Sequence, residues 1–247
     1  ILTVLTLPEN ARIIVIGASG AIGRAFIEHL RQHYPSAEIF GLSRSDVSRE
    51  LPDGVRWLPM DLESEASIAS AAEAVCEGGP IHAVLIATGL LHEGKEFRPE
   101  KAIRQLSGEN LERSFRINAV GPALIGKHFL PRFPKRERGY FAALSARVGS
   151  ISDNRVGGWY GYRASKAALN MFLKNFSIEA KRSHPELIIA GLQPGTVDSA
   201  LSRPFQGSAH HVLEPEESAQ GLLEALNSLD TTQSGILIDW KGVSFEP

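Results

Sequence analysis

The run Ala11-Arg12-Ile13-Ile14-Val15-Ile16 is apolar and β-branched, and it breaks at Gly17-Ala18-Ser19-Gly20-Ala21-Ile22-Gly23. An amphipathic segment, Arg24 to Gln32, follows with Phe26, Ile27 and Leu30 at helical spacing. Strand, glycine turn and helix in immediate succession is the context in which a glycine motif has structural meaning. The alternation continues along the chain. Strand-like segments lie near 12–17, 37–43, 55–59, 82–87, 139–145, 187–193 and 235–239, and helical ones near 20–33, 64–77, 109–130, 160–183 and 216–229. Apolar strands alternating with helices imply a parallel sheet covered on both faces. The expected architecture is therefore a doubly wound α/β fold, with a central parallel sheet of about seven strands flanked by helices. A length of 247 residues suits one such domain with a substantial core or two small ones. No linker, repeat or low-complexity segment divides it, so a single domain over 1–247 is expected.

Each glycine of the turn has a distinct use. Gly17 lets the backbone turn sharply, Gly20 or Ala21 lets it approach a pyrophosphate, and Gly23 permits close helix–strand packing. The first amides of the helix, from Ser19 through Ile22, then face an anion. A tight βα turn without any ligand is the alternative. Farther along, Tyr162-Arg163-Ala164-Ser165-Lys166 places a phenol and an ammonium one helical turn apart. The stretch Ser165–Ala180 is free of Gly and Pro and carries Leu169, Phe172, Leu173 and Phe176 at helical spacing. A free phenol has a pKa of roughly 10, and a nearby ammonium favours the phenolate. The pair is therefore suited to general acid/base chemistry, although the same spacing also occurs in ordinary surface pairs.

Charge excludes more than it suggests. There are 26 basic and 28 acidic residues with no block of one sign, and the most basic short run, Pro134-Lys135-Arg136-Glu137-Arg138, reads as a solvated loop. No nucleic-acid partner is expected. No run approaches the roughly 18–20 apolar residues of a membrane span. The opening Ile1–Leu7 is short and lacks a basic region, so no signal peptide is expected. The single Cys76 cannot form an internal disulfide and reads as a packing residue. These features fit a cytoplasmic protein. His210-His211 has no Cys or carboxylate at ligand spacing, so no metal site is assigned.

Together the motifs resemble the short-chain dehydrogenase/reductase family, whose fold is Rossmann-like. The resemblance runs in order along the whole chain: Gly17–Gly23, Asp61-Leu62, Ile86-Ala87-Thr88-Gly89, Asn118-Ala119-Val120-Gly121, Tyr162/Lys166 and Pro194-Gly195-Thr196-Val197. The stretch Leu144-Ser145-Ala146-Arg147-Val148-Gly149-Ser150-Ile151, with Gly157-Gly158-Trp159-Tyr160, is similar to the C-factor-like branch, named after a bacterial cell–cell signalling protein. The resemblance implies a nicotinamide cofactor held by the glycine turn, by Asp61 and Leu62 near adenine, and by Ala87, Thr88 and Gly89. It also implies Pro194, Gly195, Thr196 and Val197 against the carboxamide. It makes Tyr162 the acid that protonates a carbonyl oxygen during hydride transfer, Lys166 its partner on the nicotinamide ribose, and Asn118 the anchor of a water. Members commonly pair through helices corresponding to 109–130 and 160–183, which implies a homodimer or homotetramer.

The second strand ends Ser43-Arg44-Ser45, with no carboxylate until Asp46. NAD sites carry an acidic residue there for the ribose hydroxyl, whereas a guanidinium suits a 2′-phosphate. NADP(H) is therefore expected over NAD(H). Three departures from the family weigh on activity and structure, one of them Ile16 and Ala21 in place of the usual Thr and middle Gly of the cofactor loop. Ala146 stands where the catalytic serine is usual, so Ser145, one place earlier, is the expected catalytic hydroxyl if the strand end bends, with Ser150 also in reach. Both asparagines of the usual Asn-Asn-Ala-Gly turn are replaced at Ile86-Ala87. Ile151–Tyr160 and Ser199–Val212 are expected to wall the substrate pocket, through Trp159, Tyr160, Leu201, Pro204 and Phe205, or else to serve as oligomer contacts or ordinary loop packing. Two functions fit this sequence: an NADPH-dependent carbonyl reductase or alcohol dehydrogenase acting on a small or medium apolar substrate, and a cofactor-binding regulatory or signalling protein with little or no turnover.

Overall fold

The computed structural model describes residues 4–208 and 211–247. Seven parallel strands occupy the expected positions: β1 (Arg12–Ile16), β2 (Glu38–Ser43), β3 (Val55–Pro59), β4 (Ala83–Ile86), β5 (Gly139–Leu144), β6 (Leu187–Gln193) and β7 (Ile236–Asp239). An eighth, β8 (Ser244–Phe245), joins β7 antiparallel at the edge. Two residues are too few to carry an alternation, which is why the sequence pattern does not reveal it. The sheet order is β3-β2-β1-β4-β5-β6-β7-β8, so chain direction across the sheet reverses between β1 and β4. In open α/β sheets, that switch point is where the crevice for a ligand forms.

The β-branched run of β1 is buried throughout because its two faces feed two separate cores. Ile13 and Val15 pack with Phe26, Ile27 and Leu30 of α1 (Ala21–His33) and with Leu222, Leu223 and Leu226 of α6 (Pro215–Ser228). Ile14 and Ile16 face the other side, with Ile68 and Ala72 of α2 (Glu65–Cys76). That core also takes Ile125 and Phe129 of α4 (Gly121–Phe129) and Leu169 and Leu173 of α5 (Tyr160–Ser183). Alternation along a strand thus becomes two helical layers.

The expected helix over 109–130 is not continuous. It divides into α3 (Gly108–Phe115), a π turn at Arg116–Val120 and α4. Pro122 gives the reason: it has no N–H for the carbonyl of Asn118, four residues earlier, and its ring crowds that carbonyl. The helix widens there, as π bulges do near functional sites.

Two glycines of the first turn are required by close approach. Gly17 has φ +93°, and a Cβ on it would lie 2.6 Å from the Ala87 carbonyl oxygen. A Cβ on Gly23 would lie 2.1 Å from the Gly17 carbonyl oxygen. Gly23→Ala must push α1 off the turn, and a loss of about 1–3 kcal/mol is expected for such overpacking. Thermal denaturation checks it; an unchanged melting temperature would show that the turn tolerates the displacement.

Candidate active site

A cavity of about 340 Å³ opens at the carboxyl ends of β1, β2 and β4. Ten residues anticipated for cofactor binding border it: Gly17, Ser19, Gly20, Ser43, Arg44, Asp61, Leu62, Ala87, Thr88 and Gly89. Gly20 caps α1 with extended backbone, no side chain caps that end, and its first turn holds no acidic residue. The Gly20 amide is engaged within the turn, donating to the Gly17 carbonyl at 2.9 Å, so of the amides expected to face an anion only those of Ala21 and Ile22, on the first turn of α1, and Ser19 are left without a side-chain cap. Ala21, Ile22 and Gly23 form the first turn of α1 and do not border the cavity. Pro194, Gly195, Thr196 and Val197 stand apart from it at the end of β6, where Val197 bridges to Leu213 and Pro194 accepts from Ser218. Ile16 and Leu42, at the ends of β1 and β2, also line it, and Met60, Glu63, Leu90, Glu93, Arg113 and Ile117, none of them anticipated as site residues, complete the lining. Only the fold brings α3 and the loop after β4 together there.

The charges of the cavity are mixed. Arg44 is exposed and faces Glu63 at 3.9 Å. The Ser43 hydroxyl is already engaged, donating to the Ser45 carbonyl at 2.7 Å and accepting from the Trp57 indole at 3.0 Å. Thr88 Oγ1 is buried and has no hydrogen-bond partner among the described residues. A buried hydroxyl left unpaired in a cavity wall calls for a polar ligand atom.

Gly89 connects this cavity to the Tyr162/Lys166 pair. A Cβ on Gly89 would lie 3.6 Å from Lys166 Nζ and 3.9 Å from Asn118 Oδ1. Lys166 is buried, and its ammonium donates to the Leu144 carbonyl at the end of β5 at 2.8 Å. Gly149 makes room for this: a Cβ there would come within 2.7 Å of Lys166 Cβ. Asn118 accepts from the Leu90 amide at 2.7 Å and donates to the Leu90 carbonyl at 2.9 Å and to Ser165 Oγ at 3.0 Å. The π turn therefore clamps the loop after β4 to α5.

Tyr162 is half-buried, and its ring centroid lies 5.8 Å from Lys166 Nζ. Burial pushes the phenol up to about 12 and the ammonium down to about 8. The sequence spacing suggested that the ammonium would lower the phenol. Desolvation outweighs that pull, and both groups are held toward their neutral forms.

The hydroxyls near the missing serine point elsewhere. Ser145 is buried and donates to Asn170 Oδ1 at 2.5 Å. Ser150 contacts Ser152 Oγ at 3.3 Å and accepts from the Asp153 amide at 3.1 Å. Neither bonds Tyr162. Ala146 begins the short 3₁₀ turn Arg147–Gly149 and offers only a methyl group.

Among the described residues, no group of three or more His, Cys, Asp and Glu could hold a metal ion; His210 lies outside those residues. No described helix is long and apolar enough to cross a membrane.

Sheet order, cavity and Tyr/Lys pair define a doubly wound α/β protein built around a switch-point cleft. The chain belongs to the short-chain dehydrogenase family, whose model matches residues 11–208, and is thus a member of an oxidoreductase family. It is 27% identical over 225 residues to 1-hydroxy-2-glutathionyl-2-methyl-3-butene dehydrogenase of Rhodococcus sp. (strain AD45), covering 90% of this chain and 93% of that protein. It is 31% identical over 142 residues to C-signal of Myxococcus xanthus, covering 57% of this chain and 81% of that one. The fold matches NADPH-bound carbonyl reductase from chicken fatty liver with a TM-score of 0.81 at 22% identity, over 96% of this chain and 95% of that one.

Proposed function

We propose that the protein is an NADP(H)-preferring oxidoreductase that interconverts a carbonyl compound and its alcohol, with Tyr162 as the general acid/base. The observation that carries this is the convergence of the glycine turn, Arg44 and Gly89 on one cavity that abuts Lys166. The unpaired Thr88 hydroxyl and the uncapped start of α1 fit a phosphate-bearing polar ligand. When bound, NADPH supplies the hydride. Arg44 takes the 2′-phosphate in competition with Glu63, and Gly17, Ser19 and Gly20 let the backbone approach the pyrophosphate. Asp61 and Leu62, in the cavity lining, would take the adenine side, and Pro194 to Val197, outside that cavity at the end of β6, would face the nicotinamide. Tyr162 remains protonated at physiological pH and gives its proton to the carbonyl oxygen. Lys166 holds the ribose end, and Asn118 positions both the loop after β4 and α5. Exposed Met171 and Ile178 on α5 suit a homodimer or homotetramer contact.

Titration with NADPH and NADH, followed by quenching of the three tryptophans, tests the cofactor assignment. NADPH is expected to bind more tightly. Arg44→Asp should weaken NADPH by about tenfold or more, the scale of a charge-assisted phosphate contact, and change NADH far less. Equal losses would contradict the role of Arg44.

Ala146 favours a second reading. Ser145 and Ser150 are bonded elsewhere, and the loss of one oxyanion donor is worth about 3–4 kcal/mol in other enzymes. A cofactor-responsive regulatory or cell–cell signalling protein would then bind NADPH and transfer no hydride across a broad carbonyl panel.

A further inference from the structure

A second cavity, of about 910 Å³, has His92, Arg98, Lys101, Trp159, Pro204 and Phe205 in its wall. A file of edge-on aromatic contacts joins it to Tyr162. Trp159 lies 6.2 Å from Tyr162 at 79°, Phe205 lies 5.2 Å from Trp159 at 68°, and His92 lies 5.5 Å from Phe205 at 63°. Trp159 is held in the left-handed region at φ 51°, a conformation that costs roughly 1–2 kcal/mol outside glycine. Its amide donates to the Glu100 carbonyl at 2.5 Å, and the Gly161 amide donates to Glu100 Oε2 at 3.1 Å. The segment carrying Arg98 and Lys101 is thereby bolted to the first turn of the helix that bears Tyr162.

The charges here are unbalanced. Arg98 and Lys101 are exposed, and among the described residues neither side chain has an ion pair or hydrogen bond. Of the acidic residues in this segment, Glu93 pairs with Arg113 at 2.5 Å and Glu100 is buried and turned to Gly161, while Glu96 is exposed and does not line the cavity. His92 faces the Ala200 carbonyl at 3.0 Å. The cavity therefore combines an aromatic wall, suited to an apolar body, with two uncompensated cations, suited to an anion.

We infer that this cavity is a substrate subsite for carbonyl compounds that carry an aromatic body and a carboxylate, with Arg98 and Lys101 receiving the carboxylate. This rests on the reading of Tyr162 as the group at the reacting carbonyl. The probe pair is 5-oxo-5-phenylpentanoate and its methyl ester, which differ in charge. Binding to the full chain is followed by tryptophan fluorescence with and without NADP⁺, and NADPH consumption is measured separately. The acid is expected to bind about tenfold more tightly than the ester, as charge-assisted contacts allow. Added salt should narrow the gap, and the Arg98→Gln/Lys101→Gln double variant should close it. Equal binding of acid and ester, binding of neither, or a gap that survives in the double variant overturns the subsite. Acid-selective binding that depends on Arg98 and Lys101, without NADPH consumption, keeps the subsite and removes the oxidoreductase reading. Ester reduction without acid preference does the reverse.

Discussion

Tyr162→Phe is expected to lower carbonyl reduction on the order of 10²- to 10⁴-fold, the contribution typical of a positioned general acid. Stability should hardly change. The Tyr162 hydroxyl has no hydrogen-bond partner among the described residues, so its loss leaves no buried group unsatisfied. The ring that packs 6.2 Å from Trp159 remains. NADPH affinity should also stay close to the starting value, because the cavity carrying the glycine turn does not include Tyr162. Rate, melting temperature and cofactor titration are measured together on one preparation. Undiminished turnover would remove Tyr162 from the chemistry. A large fall in melting temperature would show that the hydroxyl holds the structure instead.

The parts of the site that lie on one regular element were legible in the sequence. Gly17 to Gly23 follow a single strand, and Tyr162 and Lys166 share one helical turn, so local periodicity places them. Arg44 could be placed because it follows the end of β2 directly. What depends on contacts between distant segments was not legible. The tie from Asn118 to Leu90 spans 28 residues and that to Ser165 spans 47, and no periodicity encodes either. Glu100 reaching Gly161 over 61 residues is of the same kind. One local signal was available for the broken helix: Pro122, four residues after Asn118, removes an amide donor from the middle of an otherwise helical run. The direction of the Tyr162 and Lys166 shifts also depended on the fold. Sequence spacing reports that the two groups are neighbours, whereas desolvation is set by β5, Gly149 and the loop after β4, which close around the ammonium.

That burial leads to the second large effect. Lys166→Met is expected to abolish turnover and yet make the protein more stable near neutral pH. Burial holds the ammonium down to about 8, against an ordinary 10.5. Below pH 8 the folded and unfolded chains both carry the charge, and the folded state bears the full desolvation penalty. Between pH 8 and 10.5 the folded state loses its proton first and the penalty fades; above 10.5 it is gone. A displacement of this size corresponds to about 3 kcal/mol on the neutral side. Methionine keeps an unbranched, adaptable stem without the charge. Losing the bond to the Leu144 carbonyl offsets about 1 kcal/mol of that gain. The net increase of about 2 kcal/mol near pH 6.5 corresponds to a melting temperature higher by about 4–8 °C in a chain of this size. In strongly alkaline solution the gain should vanish, leaving the variant slightly the less stable of the two. Thermal melts at pH 6.5 and 10.5 distinguish the cases. A variant less stable at both would mean that the ammonium is compensated where it sits and is part of the scaffold. A variant stabilised only at the lower pH would mean that the fold maintains a charge at its own expense, as expected of a group retained for chemistry.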